Sequence, residues 1–113
     1  MNVQDMVARL HLTVVAGGGM EREITGGYAS DLLSCVMGMA QPGNVWITLQ
    51  AHPNVVAVAS MLDLAAVIVT EGIEPTVETV DRAREQGITL LGSAETTFAV
   101  VSRLAALGIG AGG

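Results

Sequence analysis

Apolar residues recur along the chain in two rhythms, one helical and one extended. Val3, Met6, Val7 and Leu10 fall at i, i+3, i+4 and i+7 and form the stripe of a first helix. Thr13 to Ala16 reads as a short buried strand ending in Gly17-Gly18-Gly19. Beyond the segment MEREITGGY, Leu32, Leu33, Val36 and Met37 share one side of a second helix. Gln41-Pro42-Gly43-Asn44 is a turn cluster, and Val45 to Leu49 is the next strand. Pro53 opens a helix through Ser60, proline being tolerated in a first helical turn. Ala65 to Val69 is a β-branched run of the kind covered on both faces. Pro75 opens the most charged helix, with Val77, Val80 and Ala83 inward and Glu78, Asp81, Arg82, Arg84 and Glu85 outward. Gly87 ends it, and Ile88 to Leu91 is a last short strand. Ser93 is expected to cap a final helix to about Leu107 that carries Phe98, Val101, Leu104 and Ala105.

This alternation with short connections predicts a small three-layer α/β domain: a mostly parallel sheet of about four strands, with helices on both faces. There is no internal repeat and no linker. The whole chain, residues 1–113, is expected to be one domain, with a flexible tail over 108–113.

Composition sharpens the picture. Apolar residues make up 50% of the 113 and there are 14 glycines, while charged residues are only 14%; about 25% charged is usual. So little polar surface covers a monomer poorly, which points to a homo-oligomer, a dimer being the simplest. The five cations are all arginine, against 11 acids, for a net charge of -6. Five dispersed arginines make no nucleic-acid footprint. Without lysine there is no Schiff base, no PLP attachment and no P-loop. A single cysteine, Cys35, excludes an intrachain disulfide framework and a Cys-rich metal site. The longest apolar stretch, Val55 to Thr70, is too short for a bilayer and carries Asp63. No basic n-region marks a secretory leader. A soluble, cytoplasmic chain is expected, with neither membrane nor nucleic-acid partner.

In open parallel sheets, ligands lie beyond the carboxyl ends of the strands. Gly17–Gly19, Gln50-Ala51-His52, Thr70-Glu71-Gly72 and Gly92-Ser93 fit that description, and Thr25-Gly26-Gly27-Tyr28 precedes the second helix. The glycines do not make a nucleotide fingerprint, because Arg22 stands where a third glycine belongs. A Gly-Gly pair reads either as a turn needing positive φ or as an amide cradle for a small anion. Asp31 is placed in the first turn of the second helix, where a carboxylate suits the dipole. His52 either contacts a ligand or serves its loop, and His11 ends the first helix. Glu71 and Glu74 flank a strand exit, Ser34 and Ser93 lack a His/Asp arrangement, and Cys35 is expected to be buried. Two histidines with no ligand spacing between them make no metal site, and no cofactor is called for.

Glu21-Arg22-Glu23-Ile24-Thr25-Gly26-Gly27-Tyr28, running on through Asp31-Leu32-Leu33-Ser34-Cys35-Val36-Met37, resembles the DRTGG domain family. Similarity extends through VWITLQAHPNVVAVASMLDLAAVIVTEG and the Ala-rich last helix, with Glu21 in place of the leading Asp. The resemblance implies a parallel α/β domain similar to the N-terminal domain of HPr kinase/phosphorylase. Family members sit beside CBS domains in regulated pyrophosphatases, occur in phosphate acetyltransferases, or form short standalone proteins, the kind this chain is expected to be. The implied role is regulatory and dimeric, without catalysis. Thr25, Gly26, Gly27, Asp31 and Ser34 occupy the signature positions, and Arg22 is the one cation near them. The expectation is therefore a non-catalytic homodimeric sensor of a small anionic effector such as a nucleotide, held near Arg22, Thr25–Tyr28, His52 and Glu71. The alternative is a ligand-free interaction module that docks on an enzyme complex. An enzyme would need two of Asp31, His52 and Glu71 to converge on one cleft.

Overall fold

The computed structural model describes residues 1–110. Ten elements follow one another: α1 (Val3–Leu10), β1 (Thr13–Ala16), β2 (Gly26–Ala29), α2 (Leu33–Met39), β3 (Asn44–Thr48), α3 (Asn54–Met61), β4 (Ala66–Val69), α4 (Val77–Gln86), β5 (Leu90–Gly92) and α5 (Thr97–Ala106). The strands form one mixed sheet in the order β1-β5-β4-β3-β2. β2 to β5 run parallel, and β1 joins β5 antiparallel.

Strand residues alternate between two cores, as a pleat requires. Trp46, Val67, Val69 and Leu90 pack with Val36, Val55, Val56, Ala59 and Ala83, so α2, α3 and α4 share one face. Val45, Ile47, Ala66, Ile68 and Leu91 pack with Val3, Met6, Leu10, Val100 and Leu104, which puts α1 and α5 on the other. The three-layer α/β expectation is met, with five strands among the described residues instead of about four.

The additional strand is β2. Its sequence, GGYA, consists of weak strand formers apart from Tyr28, and pattern alone reads it as a turn. Neither Gly26 nor Gly27 adopts a positive φ. The strand is held from its neighbours: Trp46 Nε1 donates to the Ser30 carbonyl at 2.8 Å, and the Ser30 N–H donates to Ile47 O at 3.2 Å. At its start, Thr25 Oγ1 donates to Pro42 O at 2.8 Å and accepts from Asn44 Nδ2 at 3.1 Å.

Several local expectations change. α5 is capped by Thr96, whose Oγ1 accepts from the Ala99 N–H at 3.1 Å, and not by Ser93. Val100 and Leu104 are its buried residues, whereas Phe98 is 84% exposed. On α4, Val77 points outward, 77% exposed. α2 is one short helix with Val36 as its buried residue, which leaves Cys35 exposed. Of the expected tail, Ile109 packs on the α1/α5 core and Gly110 O accepts from the Gly27 N–H at 2.9 Å. Residues 111–113 lie outside the described residues. Among those described, no helix is long and apolar enough to cross a membrane.

Candidate functional site

The direction of each strand decides which candidates can meet. In the four parallel strands the carboxyl edge carries Ser30–Asp31, Leu49–His52, Thr70–Gly72 and Ser93–Ala94. Thr25 precedes β2 and lies at the opposite edge. At about 3.3 Å per residue, Thr25 and Asp31 are separated by roughly 20 Å. Because β1 is antiparallel, Gly17–Gly19 also falls at the amino edge, away from the place a ligand cradle was expected. There Gly18 serves a close backbone approach, since a Cβ would sit 2.9 Å from the Gly87 carbonyl oxygen.

Arg22 belongs to that amino edge too. Its guanidinium forks onto Asp63, with Nη1 to Oδ1 at 2.7 Å and Nη2 to Oδ2 at 2.9 Å, and Nη2 also donates to Asp63 O at 2.9 Å. The hydrogen bonds and opposite charge hold the Asp63 carboxyl below its ordinary value and raise that of Arg22. The one cation expected to hold an anion beside His52 and Glu71 is thus committed to an internal carboxylate on the far side. A small cleft of about 210 Å³ around this pair is lined by Ser60, Gln86 and Thr89 among others.

At the carboxyl edge, Asp31 lies before α2 and does not cap it; the Ser30 hydroxyl accepts from the Leu32 N–H instead. Asp31 Oδ1 accepts from Thr48 Oγ1 at 2.9 Å and from the Leu49 N–H at 2.7 Å, closing the end of β3. Gln50 Nε2 donates to Asp31 O at 3.0 Å. His52 Nδ1 accepts from the Asn54 N–H at 3.1 Å, a capping role at the start of α3. Ser34 is exposed on α2, and His11 ends α1 as expected, adopting the left-handed conformation.

Glu71 makes the most instructive contact. It holds φ +64°, donates its N–H to Glu95 O at 2.8 Å, and its Oε2 accepts from the Thr97 N–H at 2.8 Å. Beside it the Gly72 N–H donates to Ser93 O at 2.9 Å, and the Thr70 and Thr97 hydroxyls are 2.6 Å apart. β4 leads to α4 on one face of the sheet and β5 to α5 on the other. Such a divergence opens the crevice in which α/β sheets take ligands. Here the two loops zip across it, and a resident carboxylate occupies the α5 N-terminus where a bound anion would lie. Asp31, His52 and Glu71 each accept from a backbone amide, those of Leu49, Asn54 and Thr97 in turn, and do not converge on a shared cleft. Among the described residues, no group of three or more His, Cys, Asp or Glu side chains could hold a metal.

Two grooves remain, each lined in part by expected ligand-site segments: Gly72, Gly92 and Ser93 in the first, Gly27 and Tyr28 in the second. One, of about 360 Å³, is floored by Thr13, Val15 and Gly92 and walled by Ile73, Pro75 and Val80, with Glu74, Ser93 and Ala94 at its rim. No arginine lines it. The second, about 350 Å³ and almost wholly apolar, runs between α5 and β2, past Gly27, Ala29, Ile47, Val101 and Ala105. The signal for the first groove was Gly92, a glycine where a parallel strand would carry a core side chain.

No family model and no curated protein matches the chain. Its fold is similar to a crystal structure of the CBS and DRTGG domains of the regulatory region of Clostridium perfringens pyrophosphatase, complexed with the activator diadenosine tetraphosphate. The TM-score is 0.72 at 14% identity, over 91% of this chain and 45% of that one. The chain therefore spans less than half the length of that neighbour, and at this identity what the two are shown to share is the fold.

Proposed function

We propose that this chain is a non-enzymatic regulatory module of DRTGG type that acts as a homodimer and responds to a nucleotide or similar small molecule. The observation that carries the reading is the fold likeness to a regulatory region that binds a nucleotide activator, over nearly the whole chain. Sparse charge and the exposed apolar side chains Phe98 and Val101 of α5 support the homodimer. We place the effector in the groove beside α4, away from the signature segment. Its apolar lining of Val15, Ile73, Pro75 and Val80 suits a flat base, and the hydroxyls of Thr13 and Ser93 suit a sugar. With Glu74 at the rim and no cation in the lining, phosphates would point to solvent.

Titration calorimetry and native mass spectrometry with adenosine, ATP and diadenosine tetraphosphate test this. A Gly92→Val variant supplies the control. Its Cβ would stand 3.8 Å from Val15 and 4.0 Å from Thr13, ordinary contact, and Gly92 has no positive φ. The variant should fold and lose binding. A wild-type chain that binds none of the three at millimolar concentration would refute the sensor reading.

A second reading, a ligand-free module docking on an enzyme, is favoured by one observation. From Leu32 to Leu62 the chain has no Asp, Glu, Lys or Arg, and Leu32, Met37, Met39 and Met61 are exposed along it. Methionine-rich surfaces adapt to partners. That reading expects no nucleotide binding, together with loss of a recurrent host partner in Met39→Glu and Met61→Glu variants.

A further inference from the structure

The two faces of the sheet are not equally covered. A helix is about 10 Å across and strands are about 4.8 Å apart, so one helix covers roughly two strands. Five strands need between two and three helices per face. The α2/α3/α4 face has three, while the other face has α1 and α5. The strand left bare is β2, at the sheet edge, whose residues on this side are Gly27 and Ala29. The apolar groove between α5 and β2 is the missing helix's place.

We propose that α5 of a second copy fills it, giving a two-fold dimer in which the two α5 helices lie side by side, antiparallel, between the two sheets. This rests on the homodimer reading above and adds its surface and register. Phe98, Val101 and Ala105 are spaced i, i+3 and i+7, the seam of a helix pair, and all three are exposed. They lie on the β2 flank of α5, which presents Val101 and Ala105 to the groove. With the two-fold axis near Val101, each Val101 meets its counterpart, and each Phe98 lies against the partner's small Ala105 and enters the partner's groove. Large meets small, as a packed seam requires.

Charge and area point to the same occupant. A chain of net charge -6 repels its copies, but α5 carries one charged residue, Arg103, already paired with Glu95 at 3.1 Å. No charged side chain lines the groove. A ten-residue helix is about 15 Å long and about 11 Å across. Contacted over half its girth it presents roughly 260 Å², and the β2 side of the groove adds to this, Val101 and Ala105 being shared by helix and groove. Between roughly 260 and 500 Å² per partner lies at the low end for interfaces, the range of weak, readily dissociating pairs.

Sedimentation velocity on the full chain from about 1 to 200 μM tests the surface. The wild type should dimerise, Phe98→Glu should raise Kd at least tenfold, and Met61→Glu on the opposite face should leave it unchanged. For register, Val101→Cys in a Cys35→Ser background should form a covalent dimer on mild oxidation with diamide, while Met61→Cys should not. A wild type that stays monomeric overturns the homodimer reading itself. A dimer that survives Phe98→Glu, or that cross-links through Met61→Cys and not Val101→Cys, overturns this surface and leaves the homodimer standing.

Discussion

Gly43→Ala should be among the most damaging single-methyl additions to this fold, and the structure says why. Gly43 has φ +82°, and a Cβ there would stand 2.7 Å from Thr25 Cγ2 and 2.8 Å from Thr25 Oγ1. The left-handed backbone costs an alanine about 1–2 kcal/mol. The overlap adds about 1–3 kcal/mol, because Thr25 cannot swing away without losing its bonds to Pro42 O and Asn44 Nδ2. The total is about 2–5 kcal/mol, a large share of the roughly 5–15 kcal/mol that a domain possesses.

Urea unfolding of four proteins separates the two contributions: wild type, Gly43→Ala, Thr25→Ala and the double variant. Removing the Thr25 side chain beyond Cβ leaves the nearest retained atom 3.3 Å from the new methyl. In the Thr25→Ala background, Gly43→Ala should therefore cost only its backbone part, about 1–2 kcal/mol. Thr25→Ala alone should cost about 1–3 kcal/mol, since Asn44 is buried and loses a partner. Equal effects of Gly43→Ala in both backgrounds would refute the argument that Thr25 is locked in place by this turn.

Two further outcomes follow from the ion pair and the loop zipper. Because Arg22 holds Asp63 below its ordinary carboxylate value, their contribution to stability is present above about pH 4 and fades as pH falls through the depressed value. Thermal melts of wild type and Asp63→Asn between pH 2 and 7 should converge at the acid end, and a constant gap would contradict this linkage. Glu71→Ala removes the acceptor for the Thr97 N–H and should lower stability by about 0.5–2 kcal/mol. Glu71→Gln keeps an acceptor and loses only the charge at the helix end, about 0.3–1 kcal/mol. An alanine variant no weaker than the glutamine variant in urea titrations would remove Glu71 from the capping role.

Where apolar spacing alone decides an element, the sequence was readable. The Val3/Met6/Leu10 stripe, the Val45–Ile47 run and the β-branched strand through Val69 each meet a core the pattern demands. What escaped was decided between segments distant in sequence. β2 is a strand because Trp46, Ile47 and Asn44 hold it, and nothing within GGYA says so. β1 runs antiparallel through its pairing with β5, and that one choice moved Gly17–Gly19 to the other edge of the sheet. Cys35 reads as buried because it lies on the Leu32/Val36 helix, α2. With seven residues, α2 turns one side chain, Val36, fully into the core. The bonds of Asp31 and Glu71 were not legible because their partners, Leu49 and Thr97, are 18 and 26 residues away.

The segment that resembles a family signature is employed, residue by residue, in making one unusual strand. Thr25 pins its start to the 41–44 turn, and Asp31 fastens the chain just beyond its end to the exit of β3. Tyr28 packs on the α2/α3/α4 core. Gly27 and Ala29 leave the other side almost without side chain. A strand rich in glycine is a poor strand by propensity, so its two anchored ends supply what its own residues do not. What the glycines contribute is space. A side chain at Gly27 would enter the volume next to Val45 and Ile109, with contacts at 3.5 and 3.7 Å, and would narrow the groove that α5 of a second copy is proposed to enter. Anchoring at both ends and bareness on one face then form a single arrangement. The strand is held by its termini because the face that could have held it carries only Gly27 and Ala29.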